Sequence, residues 1–145
     1  MHILSSAFGN NQTIPDKYTC NGADINPPLS FVEVPILAKS LVLIVDDPDA
    51  SRGDWVHWLI WNLSPDTKEI RENYVPAEGV LGMTDFGKRD YGGPCPPSGV
   101  HRYQFKLFAL DVTLELPEST GKNDLEKFMQ GHILEQTILV GLYKR

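Results

Sequence analysis

The sequence has no cluster of basic residues. Its 13 Lys and Arg side chains are outnumbered by 19 Asp and Glu, which gives a formal net charge of -6 at pH 7. A chain of this charge offers no positive surface that attracts nucleic acid or an anionic membrane. We therefore expect no nucleic-acid partner, although a local pocket can still bind a small anion.

Long apolar runs are also missing. The longest, Leu41 to Val45, is far too short to cross a bilayer, and the N-terminus lacks the basic and apolar regions of a secretory signal. These absences predict a cytoplasmic protein without stable membrane insertion. In that compartment Cys20 and Cys95 are expected to be free thiols rather than a disulfide. They show no metal-ligand spacing to each other, and we predict neither a metal nor a cofactor.

Strand patterns, in contrast, recur along the chain. Residues 39–46 and 56–63 are apolar on both faces, as in central strands that are covered on both sides. Residues 101–111 alternate, and their inward face opens with His101 and Tyr103. Three strands of this kind require a second layer that buries their apolar faces.

Only one segment reads as a good helix. It is predicted to begin near Thr120 or Asn123 and to end at Gly131, and the tail after it favours a last strand. The chain is long enough for a hydrophobic core, so we expect a single domain over residues 1–145. The predicted fold is mostly β, with two antiparallel sheets packed face to face and one or two short helices.

A candidate site lies where the predicted strands begin and end. Residues 39–46 run into Asp47, and a short loop returns the chain to His57. If these strands are antiparallel, Asp47 and His57 meet at one end of the sheet. His101 opens its own strand there, and Tyr103 lies about 7 Å deeper. The pattern predicts a polar cluster at the mouth of an apolar core.

The loop at residues 92–99 is stiffened by proline and glycine and is predicted to form the rim of this site. The backbone N–H groups of Gly92 and Gly93 can form a nest that binds an anion. Two imidazoles donate hydrogen bonds to a phosphate or carboxylate, and Asp47 can fix the tautomer of a histidine. The expected function is anion binding that strengthens as the pH falls through about 6.5.

Each feature also has a plain structural interpretation. A histidine at the start of a strand is often a core residue whose hydrogen bonds are made within the protein. Asp47 and Asp49 flank Pro48, and aspartates in such positions often form turns. Tryptophans 55, 58 and 61 favour the core, and His132 favours a structural role at a helix end. Arg102 faces away from His101 and Tyr103, where it can brace the loop through a carboxylate.

Motifs of nucleophilic catalysis are absent, since no Ser or Cys stands beside a His in a known arrangement. We therefore predict that the protein is not an enzyme. A small hydrolase or metal enzyme that uses the His/Asp cluster is the less favoured alternative.

Several motifs together resemble the phosphatidylethanolamine-binding protein family, also called the Raf kinase inhibitor family. They are DPDA followed by GDWVHWLIWN, then YGGPCPPSGVHRYQFKLFALD, with YTCNGADINPPLSF near the start and GHILEQTILVGLYKR at the end. The resemblance covers nearly the whole chain and is closest to the compact bacterial and archaeal branch. It implies a β-sandwich with a small anion pocket at one end.

The pocket implied by the resemblance contains the following residues: Asp47, Pro48, Asp49, His57, Gly93, Pro97, His101 and Tyr103. The ligands implied are phosphate-like groups, phospholipid head groups and other small anions. A kinase or a serine protease is implied as an inhibited partner, and a homodimer is compatible with the resemblance.

Two residues depart from the family pattern, Ser51 in place of proline and Asn26 in place of serine. The chain also lacks the C-terminal helix that partly covers the pocket of animal members, so a more open site is expected.

Overall fold

The computed structural model describes residues 1–145, which form nine strands, a 3-10 turn at Asp16–Tyr18 and one α-helix. The strands are β1 (His2–Leu4), β2 (Gln12–Thr13), β3 (Leu29–Val32), β4 (Ser40–Asp47), β5 (Trp55–Leu63), β6 (Glu69–Ile70), β7 (Val80–Leu81), β8 (His101–Leu110) and β9 (Ile133–Tyr143). The helix α1 spans Lys122–Met129.

The strands form two sheets, which confirms the mostly β prediction. A six-stranded sheet has the order β2-β9-β8-β4-β5-β7, and a three-stranded sheet has the order β1-β3-β6. All pairings are antiparallel except the two-residue contact of β2 with β9, which is parallel. Strand β4 lies between β5 and β8 and is antiparallel to both, so the C-terminal end of β4 lies beside the start of each partner.

The large sheet is covered on both faces. A cluster of 21 buried residues, including Leu43, Ile60 and Phe105, lies on the face that also packs the small sheet. A second cluster of 10 buried residues lies on the opposite face and includes Leu125 and Met129 of α1. This explains why β4 is apolar without alternation: each of its faces has its own core.

The helix and the last strand lie close to their predicted places. Asp124 stands in the first turn of α1, where a negative charge is favourable. Gly131 follows the helix with a positive φ of 80°, which glycine adopts without steric cost. The tail after the helix forms strand β9, as predicted. No helix of the structure is long and apolar enough to span a membrane.

The prediction of free thiols is wrong. Cys20 and Cys95 form a disulfide with a Cα–Cα distance of 5.4 Å, and no free cysteine remains. The fold holds the two segments side by side, since the Cys20 N–H donates a hydrogen bond to the Pro94 carbonyl at 3.1 Å. The earlier inference rested on the expected compartment, whereas the backbone places these two thiols within bonding distance.

Candidate functional site

A cavity of about 230 Å³ opens at the end of the large sheet where β4 ends and β5 and β8 begin. It is smaller than the roughly 300–1,000 Å³ of a site for a drug-sized ligand, which suits a small ion or head group. Eleven residues line it: Asp47, Ala50, Ser51, Trp55, His57, Phe86, Cys95, Pro96, Pro97, His101 and Tyr103. The predicted convergence of Asp47, His57, His101 and Tyr103 is therefore present.

His57 reaches the cavity through an irregularity in the pairing of β4 with β5. Val45 pairs with Trp58 and Asp46 pairs with Val56, so His57 is an extra residue on its strand. Such a bulge turns the side chain of the extra residue toward the face of its neighbour. Strict alternation would place His57 with Leu59, which lies in the cluster beneath α1.

His101 is held by a carboxylate. Its Nδ1 lies 2.7 Å from Asp47 Oδ2, and both side chains are almost completely buried. The other oxygen of Asp47 accepts a hydrogen bond from the Asp49 N–H at 2.8 Å. Because an ionised carboxylate only accepts, the hydrogen of the neutral His101 ring is on Nδ1, and Nε2 donates only when the ring is an imidazolium.

His57 is held by a backbone carbonyl instead. Its Nδ1 lies 2.6 Å from the Gly92 oxygen. Its ring packs in T-shaped geometry against the rings of Phe86 and Tyr103, with a centroid distance of 5.2 Å in each pair. Burial lowers the pKa of His57, and this outweighs the opposing effects of the Gly92 hydrogen bond and the charge of Asp47. The ring is therefore neutral at neutral pH.

Tyr103 lies between the two histidines, and its hydroxyl is buried without a hydrogen-bond partner. Burial, with the nearby charge of Asp47, raises the pKa of Tyr103 above its usual value. Asp47 and the Cys95 backbone lie near this hydroxyl, yet neither reaches it in hydrogen-bonding geometry. An unpaired buried hydroxyl is costly, and an acceptor from a ligand would satisfy it.

Some residues expected at the site have other roles. Asp49 binds Arg102, whose Nε and Nη2 donate to its two oxygens at 2.9 and 2.8 Å. The hydrogen bonds from Arg102 lower the pKa of Asp49 to about 2. Arg102 thus braces the loop through a carboxylate, as predicted. Pro48, between Asp47 and Asp49, does not line the cavity, whereas Pro97 does.

The expected nest of backbone N–H groups is wrong. The Gly92 N–H donates to the His57 carbonyl at 3.0 Å, and the Gly93 N–H donates to Asp24 Oδ1 at 2.8 Å. Neither donor is free for a ligand. Glycine is needed at position 93 for close packing, because a Cβ there would clash with the carbonyl oxygen of Tyr18.

The sequence did not indicate the aromatic part of the wall. Trp55, assigned to the core, is 39% exposed and meets Phe86 edge to face at 5.7 Å, while Trp58 and Trp61 are fully buried. Phe86 lies in an irregular stretch of the sequence without hydrophobic periodicity. Only its position as a lone aromatic residue among polar ones could have indicated that it lines the cavity. His132 pairs with Asp111 at 2.9 Å, outside the cavity.

The fold agrees with comparisons to known proteins. The family model described as phosphatidylethanolamine-binding protein matches residues 4–144. A UPF0098 protein of Pyrococcus horikoshii is 50% identical over 98% of this chain and 76% of its own length. Another, from Methanothermobacter thermautotrophicus, is 47% identical over 100% of this chain and 99% of its own.

Solved structures give the same result. A phosphatidylethanolamine-binding protein homologue from Chlamydia trachomatis, CT736, superposes with a TM-score of 0.96 and is 43% identical, with 99% of this chain and 97% of that one covered. YbcL of Escherichia coli, at 24% identity, shares the fold with a TM-score of 0.92, covering 99% of this chain and 98% of YbcL. The chain belongs to the phosphatidylethanolamine-binding protein family.

Proposed function

We propose that the protein binds small oxyanions, such as phosphate or a phosphorylated head group, in the cavity at the end of the large sheet. One observation carries the proposal. The two imidazoles and the Tyr103 hydroxyl leave three polar atoms without a partner in the protein, the Nε2 atoms of His57 and His101 and the Tyr103 oxygen. All three residues line one small cavity. The oxygens of a ligand oxyanion accept hydrogen bonds from the Tyr103 hydroxyl and from a protonated imidazole.

His101 supplies the positive charge in this proposal. Its Nδ1–H donates to Asp47, so Nε2 becomes a second donor when the ring is an imidazolium. We therefore expect anion affinity to rise with acidity, because a protonated imidazole donates from both ring nitrogens.

The test is titration calorimetry with inorganic phosphate and phosphoethanolamine. His101→Ala should weaken binding by about tenfold or more, as expected for a lost hydrogen bond to a charged group. His132→Ala is the matched control, because His132 also pairs with an aspartate but lies outside the cavity. Unchanged affinity in His101→Ala would rule out this site.

We propose binding rather than catalysis. Ser51 lines the cavity, but no hydroxyl donates to either imidazole, so a nucleophile activated by a base is not assembled.

We further propose that the protein acts in the cytoplasm. A disulfide is rare there in mesophiles but common in hyperthermophiles. Trapping of thiols at lysis would measure whether the Cys20–Cys95 bond exists in cells.

Inhibition of a kinase or a serine protease is the second candidate, and one surface feature favours it. Ile36 is 100% exposed and Leu37 is 75% exposed in the loop between β3 and β4. Exposed apolar side chains of this kind are typical of contacts with another protein. Ile36→Ser with Leu37→Ser should abolish capture of a partner enzyme while phosphate binding persists; capture that depends instead on His101 would place the contact at the cavity.

A further inference from the structure

His57 offers a ligand one polar atom, Nε2. Its Nδ1 lies 2.6 Å from the Gly92 carbonyl, which can only accept, so Nδ1 carries a hydrogen whether the ring is neutral or charged. The ring makes its hydrogen bond within the protein through Nδ1 and none through Nε2. The neutral ring therefore presents a lone pair to the cavity and no hydrogen.

The surroundings of His57 keep this ring neutral. The side chain is 4% exposed, and its burial lowers its pKa. The charged groups that oppose this effect are Asp46 and Asp47 on β4 and Asp24 in the loop before β3. Tyr103 on β8 packs against the ring, and burial raises its pKa so that it stays uncharged. Near neutral pH the lone pair on His57 Nε2 therefore needs a donor.

We propose that the cavity selects oxyanions that carry their own proton, namely inorganic hydrogen phosphate or the monoanion of a phosphate monoester, over sulfate and phosphodiesters. This selectivity rests on the proposed function. The P–OH group donates to His57 Nε2, and the unprotonated oxygens accept from His101 and from the Tyr103 hydroxyl. Sulfate and a diester have no such hydrogen near neutral pH.

An oxyanion without a proton meets His57 at a cost. Its oxygen either faces the lone pair on Nε2 or requires the ring to take a proton from solution. The second route costs a factor of about ten in affinity for each pH unit above the pKa of the ring. The contact with His101 is available to every anion alike, so the ratio of phosphate to sulfate affinity isolates the contribution of His57.

Titration calorimetry with inorganic phosphate and sodium sulfate tests the inference. Between about pH 7.5 and 8.5 both ions are mainly dianions of similar size, but only phosphate carries a hydrogen. Phosphate should bind about tenfold more tightly or better, and the ratio should grow with pH. In two buffers of different ionisation enthalpy, sulfate binding should take up about one more proton than phosphate binding.

His57→Gln is the informative variant, because a glutamine amide can donate to sulfate or accept from phosphate. Its affinity ratio should be close to one and independent of pH. If the variant does not fold, the difference in proton uptake by the unaltered protein decides the question. A ratio in His57→Gln equal to that of the unaltered protein would overturn the role of His57.

A second pair of ligands separates a lipid head group from a free phosphate monoester. Phosphoethanolamine carries a P–OH near pH 6, whereas glycerophosphoethanolamine is a diester and does not. We expect the monoester to bind more tightly. If neither inorganic phosphate nor either ester binds, the proposed function itself fails. If phosphate and sulfate bind equally at each pH, the proposed function stands and the selectivity is refuted.

Discussion

Two histidines of one cavity are held by acceptors of different charge. Asp47 supports His101 with a carboxylate, while Gly92 supports His57 with a neutral carbonyl. A carboxylate stabilises an imidazolium, and a carbonyl in a buried setting does so much less. The residue type alone makes the two positions equivalent, and only the partners of Nδ1 distinguish them.

The Tyr103 hydroxyl should contribute to binding and not to stability. Because it is buried without a partner, Tyr103→Phe should leave the free energy of unfolding unchanged or raise it by up to about 1 kcal/mol. Phosphate affinity should fall by about tenfold, since a hydrogen bond to the anion is lost. Urea unfolding and calorimetry measure the two effects.

Tyr91→Phe is the matched control for that variant. The Tyr91 hydroxyl is also buried, but it donates to the Tyr18 carbonyl at 2.8 Å. Its loss should destabilise the fold by about 1 kcal/mol and leave phosphate affinity nearly unchanged. If Tyr103→Phe behaves like Tyr91→Phe, the hydroxyl of Tyr103 has a structural role.

His57 should also make the free protein less stable in mild acid. Burial lowers its pKa in the folded state below the value of about 6.5 in the unfolded chain. Between these two pKa values the unfolded state binds more protons, so stability falls as the pH drops from about 6.5 toward the folded pKa and then levels off. Unfolding by urea between about pH 5 and 8 measures this slope.

His57→Gln should flatten that slope, because glutamine does not titrate. His132→Gln is the control, since His132 lies on the surface beside Asp111. An unchanged slope in His57→Gln would mean that other groups account for the acid sensitivity of the fold.

At the scale of the elements, the strand pattern predicted where β4, β5 and β8 run, because hydrophobic side chains recur with the period of a strand. The strand ends then located Asp47, His101 and Tyr103. The bulge at His57 and the shift near Asn62, which has a positive φ of 56°, were not predictable. An extra residue of this kind depends on which strand pairs with which, and that pairing is not encoded locally.

The rim of the cavity shows the same limit over a longer distance. Cys20 and Cys95 are separated by 75 residues, and both are exposed. Their pairing follows from the packing of the loop before β3 against the loop before β8, including the bond from the Gly93 N–H to Asp24. Composition predicts the chemistry of a thiol but not its neighbour across the fold.

This disulfide should stabilise the fold and shape the site. It closes a loop of 75 residues, and its removal should cost about 4 kcal/mol in the chain-entropy account. Since Cys95 lines the cavity, phosphate affinity should also fall several-fold. Urea unfolding with and without dithiothreitol measures the first effect, and calorimetry in reductant measures the second.

The variant Cys20→Ser with Cys95→Ser controls for other effects of the reductant. It should match the reduced protein and should not respond to dithiothreitol. If reduction leaves both the unfolding midpoint and the phosphate affinity unchanged, the rim is held by its hydrogen bonds alone.

At the scale of the whole molecule, the large sheet separates the site from a structural ion pair. Asp46 and Asp47 are adjacent, so their side chains point to opposite faces. Asp46 is fully buried and binds Lys106 at 2.9 Å and Lys122 of α1 at 2.7 Å. Asp47 faces the cavity and binds His101. One sequence position thus separates a carboxylate that anchors the helix from one that serves the site.

This separation predicts that the helix face can be weakened without loss of binding. Leu125 is fully buried beneath α1, and Leu125→Ala should lower the free energy of unfolding by about 2–5 kcal/mol through the cavity it leaves. Phe128 of the same helix is exposed, so Phe128→Ala should change stability little. Phosphate affinity should stay within about twofold in both variants, because neither residue contacts the face that carries Asp47. A tenfold loss of affinity in folded Leu125→Ala, measured at a temperature well below its unfolding transition, would show that the two faces are coupled through β4.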